Sequence, residues 1–142
     1  MTITVEWRPP QRFEGTAESG ARFVMDAHVE KGGGGAGPTP METVLVALAG
    51  CTGSDVVSIL GKMRAGLEGL SISVSAERAI EHPRVFTKIH VQYTAWGKSL
   101  VREQVERAVA LSKEKYCSVS AMLSRTAALT HDVVLTERPP TG

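Results

Sequence analysis

The sequence predicts an α+β domain with antiparallel sheet and two main helices. Three observations carry this. The first third alternates apolar and polar residues with strand period; a long run from residue 39 then recurs at helical period; after it the chain returns to strand alternation, a second helical stretch and a last strand. The expected order is βββ-α-ββ-α-α-β. With 142 residues the chain is long enough for one domain with a real core, residues 1–142, and too short for two comfortable ones.

The opening segment TITVEW sets Ile3, Val5 and Trp7 against Thr2, Thr4 and Glu6, and Pro9-Pro10 ends it. RFEGTA (12–17) and ARFVMDAHV (21–29) follow as second and third strands around a Glu18-Ser19-Gly20 turn, which makes a meander. KGGGGAGPTP comes next. Its four consecutive glycines suggest a phosphate cradle, but the spacing G-x-x-x-x-G-K-[ST] is absent, and a loop leading into a helix is the favoured reading. Thr39 as N-cap, Pro40 as first helical residue and Glu42 as the N3 acid form a capping-box start. The helix is expected to reach about Arg64, with a stripe through Leu45, Leu48, Cys51 or Thr52, Val56, Ile59 or Leu60, and Met63. Its middle is thinned by Ala47, Ala49, Gly50 and Gly53, leaving room for another backbone or a substrate.

Gly66 and Gly69 close that helix. LSISVSAERA (70–79) and VFTKIHVQYTAW (85–96) form a hairpin with one wet face, the second strand setting Phe86, Lys88 and His90 against Ile89, Val91 and Tyr93. A second helix begins near Ser99, with Leu100, Val101, Val105, Val109 or Ala108, and Leu111 as its apolar stripe and Glu103–Arg107 as an i,i+4 pair on the wet side. Cys117 starts a further short helix, 119–125. LTHDVVLTE (129–137) is the last strand, and the tail RPPTG is expected to fray.

Composition narrows the function classes. A net charge of +1 gives no bulk electrostatic reason to bind nucleic acid or an anionic membrane. The N-terminus shows no basic start followed by an apolar stretch, and the longest mainly apolar run, 44–49, is short for a membrane span. A soluble cytoplasmic protein, with no nucleic-acid or membrane partner, is the expectation.

Two cysteines, Cys51 and Cys117, lie 66 positions apart, with no C-x-x-C and no cysteine–histidine spacing suited to zinc. No metal or cofactor is expected. In a cytosolic chain such a pair is either two inert core thiols or a redox couple. Cys51 sits mid-helix, where its own helix dipole gives it little; Cys117 sits at a helix start beside Ser118 and Ser120. Asp55, four residues after Cys51, reads as a solvated or hydrogen-bonded helix residue. His28, His82, His90 and His131 have no catalytic or metal spacing.

GPTPMETVLVALAGCTGSDVVSIL followed by KYCSVSAML resembles the OsmC/Ohr family, the osmotically induced and organic-hydroperoxide-resistance proteins, and its OsmC-like uncharacterised branch in particular. The resemblance covers nearly the whole chain. It implies an OsmC-like fold with a long central first helix, an intertwined homodimer, and a thiol-dependent peroxidase acting on organic or small hydroperoxides. Cys51 would be peroxidatic and Cys117 resolving, with a dithiol, lipoyl-type or other, as reductant. The alternative is a redox-sensing or small-ligand-binding relative without efficient turnover. The organic-hydroperoxide branch places a helix-start glutamate where this chain has Met41, so Glu42 is shifted by one residue, about 100° of helix. Glu42 is therefore either a catalytic acid or only the cap. No arginine lies between Phe23 and Lys62, which leaves Arg22 or a partner-subunit group to polarise the thiol.

Overall fold

The computed structural model describes residues 1–140; of the expected frayed tail, Thr141 and Gly142 lie outside the described residues. The chain resolves into two compact units, Met1–Val46 and Ala47–Gly142.

The first unit holds an antiparallel meander: β1 (Ile3–Arg8), β2 (Arg12–Ala17) and β3 (Arg22–Met25) in that order. The register pairs Val5 with Gly15 and Gly15 with Phe23, so Ile3, Val5, Trp7, Phe13 and Phe23 share one sheet face. That face is open, with Trp7 59% exposed. The opposite face is a charge cluster in which Glu14 meets Arg8, Arg12 and Arg22 at 3.2, 3.3 and 3.7 Å.

β3 ends four residues earlier than expected, and Asp26 explains why. Its buried carboxylate accepts from the N–H groups of Ala27 (2.8 Å), Gly34 (3.2 Å) and Ala36 (3.1 Å), pulling the chain out of the sheet. A short 3₁₀ turn, Val29–Lys31, follows. The glycine-rich loop thus turns its amides onto an internal carboxylate, and those donors are committed. Gly33 is required by packing, because a Cβ there would collide with the Ala27 carbonyl.

Helix α1 spans Pro40–Lys62 and closes through Arg64, whose φ of 52° is left-handed. Helical pairing gathers apolar residues the linear sequence scatters. By length and composition α1 could cross a bilayer, which the short run 44–49 does not suggest. In this structure its stripe Leu48, Thr52, Val56 and Leu60 is buried in protein instead. Gly53 lies against Ile72, where a Cβ would approach Cδ1 to 2.8 Å.

The second unit's sheet contains β4 (Gly69–Arg78), β5 (Phe86–Trp96) and β6 (Ala128–Thr136). The antiparallel expectation holds for β1 to β5. β6 enters parallel to β5, as the long helical crossover between them allows. Phe86 is buried with Ile89 and Val91, contrary to the simple alternation, because a bulge opposite Glu77–Arg78 leaves Thr87 unpaired and shifts the phase. The helical region is α2 (Arg102–Leu111), a π-helical turn (Ser112–Tyr116) and α3 (Ser118–Leu123). Val105, Ala108 and Val109 are fully buried. The ion pair on α2 is Arg102–Glu106 at 3.4 Å, in place of the expected Glu103–Arg107. Arg102 is held there by a second bond, to the Val133 carbonyl at 2.9 Å.

Candidate dithiol site

Two segments within the second unit carry the sulfurs. α1 presents Cys51 half-buried, one residue before Thr52, which takes the place on the core stripe that either could have filled. The π turn delivers Cys117 as the N-cap of α3, with extended backbone at φ −75° and ψ 104°. Its sulfur accepts the Ser120 N–H at 3.3 Å, and its own N–H donates to the Ser112 carbonyl at 2.7 Å. Cys117 is buried, and both cysteines are free thiols.

Burial pushes the Cys117 thiol above the ordinary cysteine range. Ser120 opposes the rise, while interaction with the neighbouring Cys51 thiol adds to it. The fold therefore makes neighbours of two sulfurs 66 positions apart in sequence, one half-exposed and one enclosed.

Beside them runs a buried chain of hydroxyls that no sequence motif marks. Tyr93 Oη lies 2.7 Å from Thr52 Oγ1, Thr52 Oγ1 lies 2.9 Å from Ser112 Oγ, and Ser112 Oγ donates to Asp55 Oδ2 at 2.8 Å. Asp55 is thus hydrogen-bonded, at a half-exposed position. Three of these residues looked like ordinary helix or strand positions; only the fold brings α1, β5 and the π turn to one point. Burial, with the charges of Cys117 and Asp55, raises the Tyr93 phenol above its usual value despite the Thr52 bond.

The other site residues fall in the first unit. Glu42 is engaged in a reciprocal cap: its Oε2 accepts the Thr39 N–H at 2.8 Å, and its N–H donates to Thr39 Oγ1 at 3.2 Å. These Thr39 bonds hold its carboxyl below the ordinary range, with His28 adding a smaller pull; His28 Nε2 stands 3.6 Å from Oε1. Arg22 faces Glu14 on the charge cluster. Among the described residues, no three histidines, cysteines or acids gather as a metal site.

A half-exposed thiol beside an enclosed second thiol makes this a dithiol site on an α+β fold. The chain belongs to the family of OsmC-like proteins, whose model matches residues 32–132. It is 40% identical over 131 residues to protein YhfA of Escherichia coli K12, covering 92% of this chain and 95% of that one. A solved hypothetical protein from Aquifex aeolicus is 30% identical, with TM-score 0.79 over 96% of this chain and 97% of its own. The same fold recurs at 18% identity in a Legionella pneumophila organic hydroperoxide resistance protein OsmC, with TM-score 0.67 over 94% and 97% of the two chains.

Proposed function

We propose that this protein is a thiol-dependent peroxidase that reduces organic or small hydroperoxides. The observation that carries the reading is the pair itself: Cys51 half-exposed, with Cys117 enclosed and interacting with it. The Cys51 thiolate attacks the peroxide, the O–O bond breaks, the alkoxide leaves as an alcohol by taking a proton, and Cys51 becomes a sulfenic acid. Cys117 then attacks that sulfur. The S–S bond forms, the S–O bond breaks, and the hydroxide leaves as water with the Cys117 proton. A dithiol, lipoyl-type or other, restores both thiols by two exchanges. In this reading Glu42 acts as a positioning residue that fixes the start of the cysteine-bearing helix.

The protein works in this reading as a cytoplasmic homodimer. Support comes from Gly50: an added Cβ would meet nothing within 4 Å, so its own chain does not require a glycine there. The open apolar face of β1 to β3 is a second surface that a partner copy would cover.

The test is hydroperoxide consumption with dihydrolipoamide as reductant. Wild type turns over; Cys51→Ser does not; Cys117→Ser reacts once and stalls as a sulfenic acid or overoxidises. Equal turnover by wild type and Cys51→Ser refutes the proposal. A redox-sensing role is the second reading, favoured by the engagement of Arg22 with Glu14 and the absence of arginine from residues 24–61. It expects stoichiometric oxidation of both thiols to a disulfide, with negligible turnover under the same reductant.

A further inference from the structure

The hydroxyl chain has a direction that the chemistry of its members dictates. A carboxylate oxygen only accepts, and each hydroxyl has a single hydrogen to give. Ser112 gives its hydrogen to Asp55. Its oxygen must then accept from Thr52, and the Thr52 oxygen in turn accepts from Tyr93. The sequence Tyr93→Thr52→Ser112→Asp55 is the one arrangement that satisfies all three contacts with no hydroxyl donating twice.

Its placement matters more than its length. Thr52 directly follows Cys51 on α1. Ser112 opens the π turn, and its carbonyl takes the Cys117 N–H at 2.7 Å. Ser112 therefore holds the backbone of one cysteine with its carbonyl and the residue next to the other cysteine with its hydroxyl. Asp55, one turn beyond Thr52, secures Ser112 to the same helix a second time. The turn gripped in this way is π-helical, a local departure from α geometry that is common at functional sites. A core requirement alone would be met by apolar side chains at 52 and 112, with none of the desolvation that buried hydroxyls cost.

We propose that Thr52, Ser112 and Asp55, oriented by Tyr93, form a clamp that positions Cys117 for attack on Cys51. These are positioning residues, acting through the two sulfurs. The inference deepens the peroxidase reading, yet what it claims is the geometry of two thiols, so it can be read out without peroxide. Glutathione disulfide supplies the oxidant: the Cys51 thiolate displaces one glutathione thiolate to form a mixed disulfide, and Cys117 displaces the second to close the Cys51–Cys117 bond.

The experiment follows closure of that bond by mass spectrometry in wild type, Thr52→Val, Thr52→Ser, Ser112→Ala and Asp55→Ala. Alkylation of Cys51 by iodoacetamide is measured on the same samples. Thr52→Val and Ser112→Ala slow closure on the order of tenfold to a hundredfold, the scale of small misplacements of reacting atoms. Cys51 alkylation stays within about twofold, the resolution such a rate comparison needs to separate misplacement from a tenfold effect. Thr52→Ser, which restores the hydroxyl, restores the rate. General loosening would instead raise alkylation and would not be rescued selectively. Asp55→Ala, at a half-exposed helix position suited to alanine, shows the same slowing if either buried variant fails to fold. Closure rates in folded Thr52→Val and Asp55→Ala that match wild type overturn the clamp, and so does a wild type that never closes the bond under glutathione disulfide. A wild type inert to hydroperoxide but closing its disulfide in a Thr52-dependent way leaves the clamp standing and removes the peroxidase.

Discussion

Asp26 shows how one side chain settles a question that a whole loop raised. The four glycines offered amide groups that could face a phosphate, and the carboxylate occupies that role from within the chain. Hydrogen bonds from the Ala36, Ala27 and Gly34 amides hold its pKa below the ordinary carboxylate value, with Arg12 adding to the effect. Because the folded value is the lower one, the stability it lends is complete above the unfolded pKa of about 4 and is lost as pH falls through the folded value. Glu42 and Asp132 are depressed in the same direction, the latter first by His90, 2.6 Å away. Thermal melts of wild type should therefore fall steeply below the ordinary carboxylate range. Asp26→Asn should lower the melting midpoint by several degrees at neutral pH and flatten the acid limb, since an amide cannot accept from three N–H groups as a carboxylate does. An acid limb unchanged by Asp26→Asn would assign it to the other carboxylates.

At the scale of the element, α1 is where sequence and structure meet most closely. Thr-Pro-Met-Glu spelled its start, and the reciprocal Thr39–Glu42 bonds form as that pattern requires. Thr39→Ala should cost about 1 kcal/mol in urea unfolding, the usual worth of an N-cap. Glu42→Gln should keep the box and at least half the rate of Cys51 oxidation by hydroperoxide. A tenfold loss with unchanged melting would instead assign the carboxylate to thiol activation. Elements with period, cap and turn signals were legible: all six strands, the long helix and the helix start at Cys117. The bulge at Thr87 was not, because one unpaired residue leaves no mark on composition while reversing which face Phe86 takes. Parallel entry of β6 was equally silent, being set by the crossover rather than by the strand. The cysteines were visible as candidates, but the Thr52–Ser112 contact joins residues 60 positions apart and has no local signature.

At the scale of the whole molecule, exposed apolar residues line one face of α1. Val46 and Val57 on α1 are 60% and 50% exposed, and Gly50 lies between them with nothing opposite it. A mid-helix glycine costs roughly 1 kcal/mol relative to alanine. A methyl group at residue 50 would meet nothing within 4 Å among the described residues outside its own helical turn, so packing within the fold does not require the glycine. In the homodimer proposed above, a two-fold axis at this stripe would bring Gly50 to its own counterpart and let two helix backbones approach closely. Sedimentation equilibrium should accordingly give twice the 15.2 kDa chain mass. Gly50→Arg, whose Cβ would meet nothing within 4 Å, should shift the population to monomer and lower its melting temperature, because the apolar faces then meet water. A Gly50→Arg protein that remains dimeric would place the interface elsewhere and leave the glycine to the approach of substrate to Cys51.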